Sequence, residues 1–234
     1  MNIPMISIPG KNYEISETLV TQKLYESVMG ENPSYFRNNN EDLYDEQRDN
    51  LPKNTKNNPV ENISWYDAIY FCNLLSKNEC LEPVYAVNGK KSVSQWNYKP
   101  HRGNEIKGKI TQDVSANGYR LPTLEEWQYA AKGGENFTYS GSNNIDEVAW
   151  YFNNSNFMTH PVAQKNANDY GLYDMSGNVW EWVWDFVGTY RYECGGSFYD
   201  DDIHCSININ VKAGDFPFIR NKTIGFRLVR SLSN

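Results

Sequence analysis

The sequence predicts an α+β domain in which loops outweigh regular structure. Three observations carry this. Segments with helical apolar spacing stand behind capping residues, the later apolar runs are short, and turn-formers separate nearly all of them. Aromatic side chains supply 15% of the 234 residues, yet mean hydropathy is only −0.71. The core must therefore be built largely from rings, each of which buries a large area.

Taken in order, "EISETLVTQKLYESVMG" reads as a strand end followed by a short helix that closes at Gly30. "ENPSYF" and "NLPKNTKNNPVENI" are turn-former clusters, and the mixed-charge stretch 37–58 reads as a solvated loop. In "SWYDAIYFCNLLSKN" Trp65, Ile69, Cys72 and Leu75 fall at helical spacing behind Ser64 as N-cap. Cys72 there reads as a small core side chain rather than a reactive thiol. "EPVYAVNGKKSVSQWNYKP" is a hairpin candidate turning at Asn88-Gly89. In "YRLPTLEEWQYAAKGG" Thr123 and Glu126 make a capping box and Gly133 a C-cap, which predicts a second amphipathic helix. A short strand is expected over 148–152. The closing "IGFRLVRS" reads as an alternating strand, in which Ile224, Phe226, Leu228 and Val229 are apolar and Arg227 and Arg230 are not. No repeat, linker or composition shift divides the chain, so residues 1–234 read as one domain.

Net charge is −7, which makes nucleic acid and anionic membranes poor partners, since both need a basic footprint. No apolar run approaches the roughly 20 residues of a spanning helix. The start "MNIPMISIPGKNY" shows no signal peptide. The four cysteines, Cys72, Cys80, Cys194 and Cys205, form no C-x-x-C pair and do not fix the redox compartment.

Four segments, "YRLPTLEEWQYAAKGG", "YGLYDMSGNVWEW", "CGGSF" and "IGFRLVRS", occur in that order behind "ISWYDAIYFCNLLS". Together they resemble the formylglycine-generating-enzyme, or sulfatase-modifying factor, family over nearly the whole chain. The resemblance implies a C-type lectin fold of that family's type: two helices beside a small twisted antiparallel sheet, with many long loops. It makes the terminal "GFRLVRS" strand a central one, paired near the N-terminal strand. The family includes copper-dependent oxidases that convert a protein cysteine to formylglycine, iron-dependent sulfoxide synthases, and binding proteins such as the variable proteins of diversity-generating retroelements. The site must therefore decide the function.

The oxidase members place two thiolates five residues apart just after the G-G-S turn, and thiolates suit Cu(I) because both are soft. In "GGSFYDDDIHCSINI" the second position is Cys205, but the first is Asp200, a hard ligand. Cys205 is therefore the candidate catalytic residue of an oxidase alternative with one copper-binding cysteine missing; otherwise it reads as a structural thiol or a disulfide partner. His101, His160 and His204 are isolated and offer no iron cluster. Neither copper nor iron is expected. The resemblance also implies a structural calcium ion within "DMSGNVWE", held by the side chains of Asp174 and Glu181 and the carbonyls of Gly177 and Val179. A turn can bring such oxygens together, and Trp180 and Trp182 would anchor it from the core side.

Residues 198–220 carry acids, rings and branched aliphatics where catalytic relatives tend to carry arginines and asparagines. Retroelement variable proteins diversify mainly at AAC or AAT codons, and codons ending in C or T cannot encode Lys, Glu, Gln, Met or Trp. Those five types make up about a fifth of the chain, yet within 198–220 only Lys212 belongs to them. The sequence therefore favours a non-enzymatic ligand-binding protein with a diversified C-terminal site. Its candidate contacts are Tyr199, Asp200, Asp201, Asp202, His204, Asn208, Asn210, Asp215, Phe216 and Phe218. Rings and short polar groups suit an adaptable binding surface. The expected partner is a protein or other macromolecule, and the expected location is the cell surface or the medium.

Overall fold

The chain opens with a hairpin, β1 (Met5–Ser7) and β2 (Tyr13–Ser16). Thr21 then caps α1 (Gln22–Met29) by accepting the Leu24 N–H, and Gly30 ends it at φ 79°. A computed structural model describes residues 3–103, 105–208 and 213–232. The stretch expected to be a solvated loop holds a short exposed helix, α2 (Asp45–Asn50), beside a buried Leu43. Its sequence is polar all round, so nothing in the apolar spacing announces it.

Ser64 begins α3 (Trp65–Asn78), and the capping box is completed by Asp67, which also accepts the Ser64 N–H. The Asn88-Gly89 turn forms, with φ of 48° and 76°. Across the turn only Val87 bridges Lys90; β3 (Tyr85–Val87) forms its ladder with the distant β4 (Ile110–Gln112). β5 (Tyr119–Arg120) leads into α4 (Leu124–Lys132), which has the expected Thr123–Glu126 capping box and a left-handed Gly133. The strand expected over 148–152 is absent. α5 (Ile145–Val148) precedes it, and Trp150 makes only an isolated bridge to Gly177.

Two four-stranded sheets follow from β6 (Trp180–Val187), β7 (Tyr190–Cys194), β8 (Ala213–Asp215), β9 (Ile224–Gly225) and β10 (Val229–Ser231). The first runs β1-β2-β10-β5 and the second β8-β7-β6-β9. The terminal strand is central, as the family resemblance implies: Val229 faces Ile15 on one side and Arg120 on the other. It is not continuous, since "IGFRLVRS" divides between β9, parallel to β6, and β10.

One core cluster gathers around α3, where Trp65, Phe71, Trp182 and Phe226 are fully buried. Burying each such phenylalanine contributes about 2 kcal/mol. The indoles also satisfy their N–H groups: Trp65 donates to the Val183 carbonyl and Trp182 to that of Ile63. A second cluster packs Trp127 and Ala130 of α4 against Ile15, Val183 and Val229. Cys72 lies in the first cluster as a free buried thiol. Among the described residues no helix is long and apolar enough to cross a membrane.

Candidate functional site

β7 ends at Cys194, and Gly195 and Gly196 then turn the chain at φ 97° and 76°. A Cβ on Gly196 would lie 2.8 Å from the Cα and Sγ of Cys205, so only glycine lets the turn sit this close. Beyond it the segment alternates between anchors and exposed groups. Phe198 is fully buried, edge-on to Phe36 at 5.1 Å. Tyr199 is 56% exposed. Asp200 turns inward: Trp180 Nε1 donates to its Oδ2 at 2.8 Å, and the Ser197 hydroxyl donates to the same oxygen. Asp201 accepts from both the backbone N–H and Nδ1 of His204, at 3.2 and 2.6 Å, and the His204 side chain holds its carboxyl below the usual range. Asp202, Ile203, His204 and Asn208 are exposed, whereas Ile207 is buried and donates to the Thr138 carbonyl.

Asn210 lies outside the described residues. From 213 the chain forms the edge strand β8, and its end carries a second set of rings. Phe216 lies 4.6 Å from Tyr190 and stacks on Phe218 at 5.3 Å, with Asp215 partly exposed beside them. Arg220 leaves the surface to meet Asp67, at 2.9 Å, and the Tyr98 hydroxyl, at 3.0 Å. Burial alone would raise the Asp67 carboxyl; His101 and Arg220 hold it below its ordinary value. The candidate contacts thus fall into two patches. Glu193 of β7 is near both: it is 7% exposed, its Oε1 has no hydrogen-bond partner among the described residues, and its carboxyl is pushed up to about 8 by burial, with Asp215 and Asp200 adding.

Cys205 is fully buried among Tyr139, Val148 and Tyr151 and is not in a disulfide. Burial, reinforced by Asp200, Asp201 and Asp202, pushes its thiol far above the ordinary range. A thiolate at this position is disfavoured near neutral pH, and the thiolate is the species that binds metal and attacks. The other oxidase position is Asp200, whose Oδ2 is engaged by Trp180 and Ser197.

The "DMSGNVWE" loop is held by different means. Asp174, in left-handed conformation at φ 56°, accepts the Ala163 N–H at 2.8 Å and the Asn178 amide at 3.2 Å. Gly177 is pressed so closely to Trp150 that a Cβ would come 2.3 Å from its carbonyl oxygen. Glu181 turns away from the loop and pairs in bidentate fashion with Arg227, at 2.7 and 2.9 Å, while Oε2 also accepts Trp127 Nε1 at 3.0 Å. Both partners of this ion pair are fully buried, although Arg227 reads in the sequence only as a charged residue among apolar ones. Burial pushes the Glu181 carboxyl up, and Arg227 and Trp127 oppose it. This donor set does not fit a calcium ion. Each carboxylate already accepts from hydrogen-bond donors, and a guanidinium occupies both oxygens of Glu181, where the cation would have to bind. Gly177 and Val179 are both buried. Arg227 was legible only as one arginine inside an apolar run, which does not name its partner.

Sequence reasoning also missed two exposed rings outside 198–220. Phe152 and Phe157 stand beside Tyr199, with Phe152 N–H bonded to the Asp200 carbonyl at 2.9 Å. Their turn-rich surroundings gave no sign that the loop packs on the 198–200 turn.

The sequence profile of the sulfatase-modifying factor enzyme 1-like domain matches residues 2–232. The chaperone protein LppX of Paenibacillus barcinonensis is 41% identical over 215 aligned residues, which span 80% of this chain and 69% of that one. Among solved structures, Treponema denticola variable protein 1 superposes with a TM-score of 0.81 at 33% identity, over 99% of this chain and 92% of that one. CarF does so with a TM-score of 0.76 at 29% identity, over 99% of both.

Proposed function

The chain belongs to the sulfatase-modifying factor enzyme 1-like family, and from that premise we propose that it is a non-enzymatic binding protein. Its ligand, a protein or other macromolecule, meets the exposed residues of 198–220. That segment is the part diversified by a retroelement, and the protein acts at the cell surface or in the medium.

The observation that carries this reading is the state of the two positions an oxidase would use. Asp200 is engaged inward by Trp180 and Ser197, and Cys205 is packed away with its thiol held protonated. The likeness to Treponema denticola variable protein 1, a protein named for its variability, supports it. So does the alternation of anchors with exposed Tyr199, Asp202, His204, Asn208 and Phe216. A rigid frame of this kind limits the ordering cost of binding, and rings with short polar groups give area and hydrogen bonds with few rotatable bonds.

A Cu(I) titration tests the non-enzymatic half. The expected outcome is no tight stoichiometric binding that depends on Cys205. One tightly bound Cu(I) per chain, lost in Cys205→Ala, would overturn it in favour of an oxidase.

A further inference from the structure

Asp67, in the first turn of α3, is fully buried, and its carboxyl joins three parts of the chain. Oδ2 accepts the Ser64 N–H at 2.9 Å and the Ser64 hydroxyl at 2.8 Å. Oδ1 accepts the Tyr98 hydroxyl at 2.8 Å and the His101 N–H at 3.0 Å. Arg220 Nε donates to Oδ2 at 2.9 Å, and its Nη2 donates to the Tyr98 hydroxyl at 3.0 Å and the Gly103 carbonyl at 3.1 Å. Arg220 ends the segment 198–220, so this network fastens that end to α3 and to the loop around 98–103. Two backbone bonds hold the same stretch: the Tyr66 N–H donates to the Pro217 carbonyl at 3.4 Å, and the Asn62 N–H to that of Asn221 at 3.0 Å.

His101 stands in this network with one ring nitrogen unused. Its backbone is left-handed, at φ 61°. Nε2 lies 3.2 Å from the hydroxyl of the fully buried Tyr25. Nδ1 is buried without a hydrogen-bond partner among the described residues, 3.8 Å from Asp67 Oδ2. Protonation makes both ring nitrogens donors. Nδ1–H then faces a carboxylate whose oxygens are already taken by donors, and the ring becomes a second cation beside Arg220. The charged groups facing the ring are Asp67 of α3 and Glu31 after α1, which favour its positive form, and Arg220 and Arg102, which oppose it. Tyr25 of α1 and Tyr98 stand by as hydroxyls that burial keeps protonated. Burial is the largest influence and holds the imidazole below its ordinary value. Asp67 is held below its own ordinary value, so it stays ionised while His101 titrates. The Arg220 side chain is 19% exposed, against 10% for His101 and 0% for Asp67, which makes Arg220 the member that can leave for water.

We propose that His101 is an acid trigger for the binding segment: once protonated it competes for the Asp67 carboxylate, expels Arg220, and frees the 216–220 end of the segment. The inference rests on the binding reading above for what the trigger governs, and adds that ligand is held at neutral pH and released in acid. The sign follows from burial. A ring held below the 6.5 of a free histidine contributes stability that is present above pH 6.5 and lost as pH falls through the lower folded value.

Amide exchange followed by NMR on the full chain at pH 7.5 and pH 5, corrected for intrinsic rates, tests this. The reporters are Ile219, whose N–H donates to the Phe216 carbonyl, with Tyr66 and Asn62. Their exchange should be about tenfold faster at pH 5, as expected when one charged hydrogen bond is lost, while the β2–β10 amides keep their rates. His101→Gln should abolish the difference and leave the pH 7.5 rates near those of the wild type. The imidazole titration of His101 should share its midpoint with the exchange change. Unchanged exchange in acid, or an acid response that persists in His101→Gln, would overturn the trigger. Should that variant fail to fold, the wild-type midpoints decide: an exchange midpoint away from the His101 titration overturns it. No ligand enters the readout, so failure here strikes the trigger alone, and a segment that binds nothing strikes the binding reading alone.

Discussion

Arg227 and Glu181 bind each other in the interior at 2.7 and 2.9 Å, and both are fully buried. Removing one member leaves an uncompensated buried charge, so Arg227→Met should cost about 3–5 kcal/mol, read from urea midpoints. Adding Glu181→Gln to it should recover much of that loss. The same pair predicts that calcium or a chelator leaves the melting temperature unchanged. Glu193 offers the opposite case. Its folded pKa of about 8 lies above the 4.5 of a free glutamate, so its contribution to stability is fully present below pH 4.5 and lost as pH rises through 8. Glu193→Gln should therefore stabilise the protein at pH 9 and change little at pH 4, as melting curves at the two pH values would show. Neither effect was legible from residue type. A buried arginine in the break between β9 and β10 and a buried glutamate in "YECGG" look like ordinary surface charges until the fold places them.

Elements with local signals formed where local chemistry put them. Ser64 and Thr123 each accept an N–H from the third residue of the helix they start, and Gly133 ends α4. Thr123→Ala should cost about 1 kcal/mol by chemical denaturation. Elements that depend on distant partners were not legible. The Asn88-Gly89 turn is local and correct, but the partner of β3 is 20-odd residues away, at 110–112. The apolar run at 148–152 lacks a strand because Trp150 pairs with Gly177 alone. That contact leaves no room for a Cβ, so Gly177→Ala should destabilise the loop more than an exposed glycine change such as Gly30→Ala, which meets nothing within 4 Å. Differential scanning fluorimetry of the two variants would rank them.

At the scale of the whole molecule, the family and its fold were readable because four ordered motifs span the chain, and the described residues carry two four-stranded sheets, a two-stranded one and a ring-built core. The site was legible in part. Composition pointed to 198–220, but not to its alternation of buried and exposed residues. Phe198, Cys205 and Ile207 are buried, Asp200 is tied inward, and Tyr199, Asp202, His204, Asn208 and Phe216 are exposed. Periodicity cannot report this, since residues 198–208 are a chain of turns rather than a strand or helix. The alternation sharpens the central claim, because a diversified surface can change only where change does not unfold the scaffold. The most direct measurement is the sequence of this segment in many isolates of the source organism. The account predicts substitutions concentrated at the exposed positions, on codons that descend from AAC or AAT, with Phe198, Cys205 and Ile207 spared. A segment as constant as "GLYDMSGNVWEW" across those isolates would contradict it.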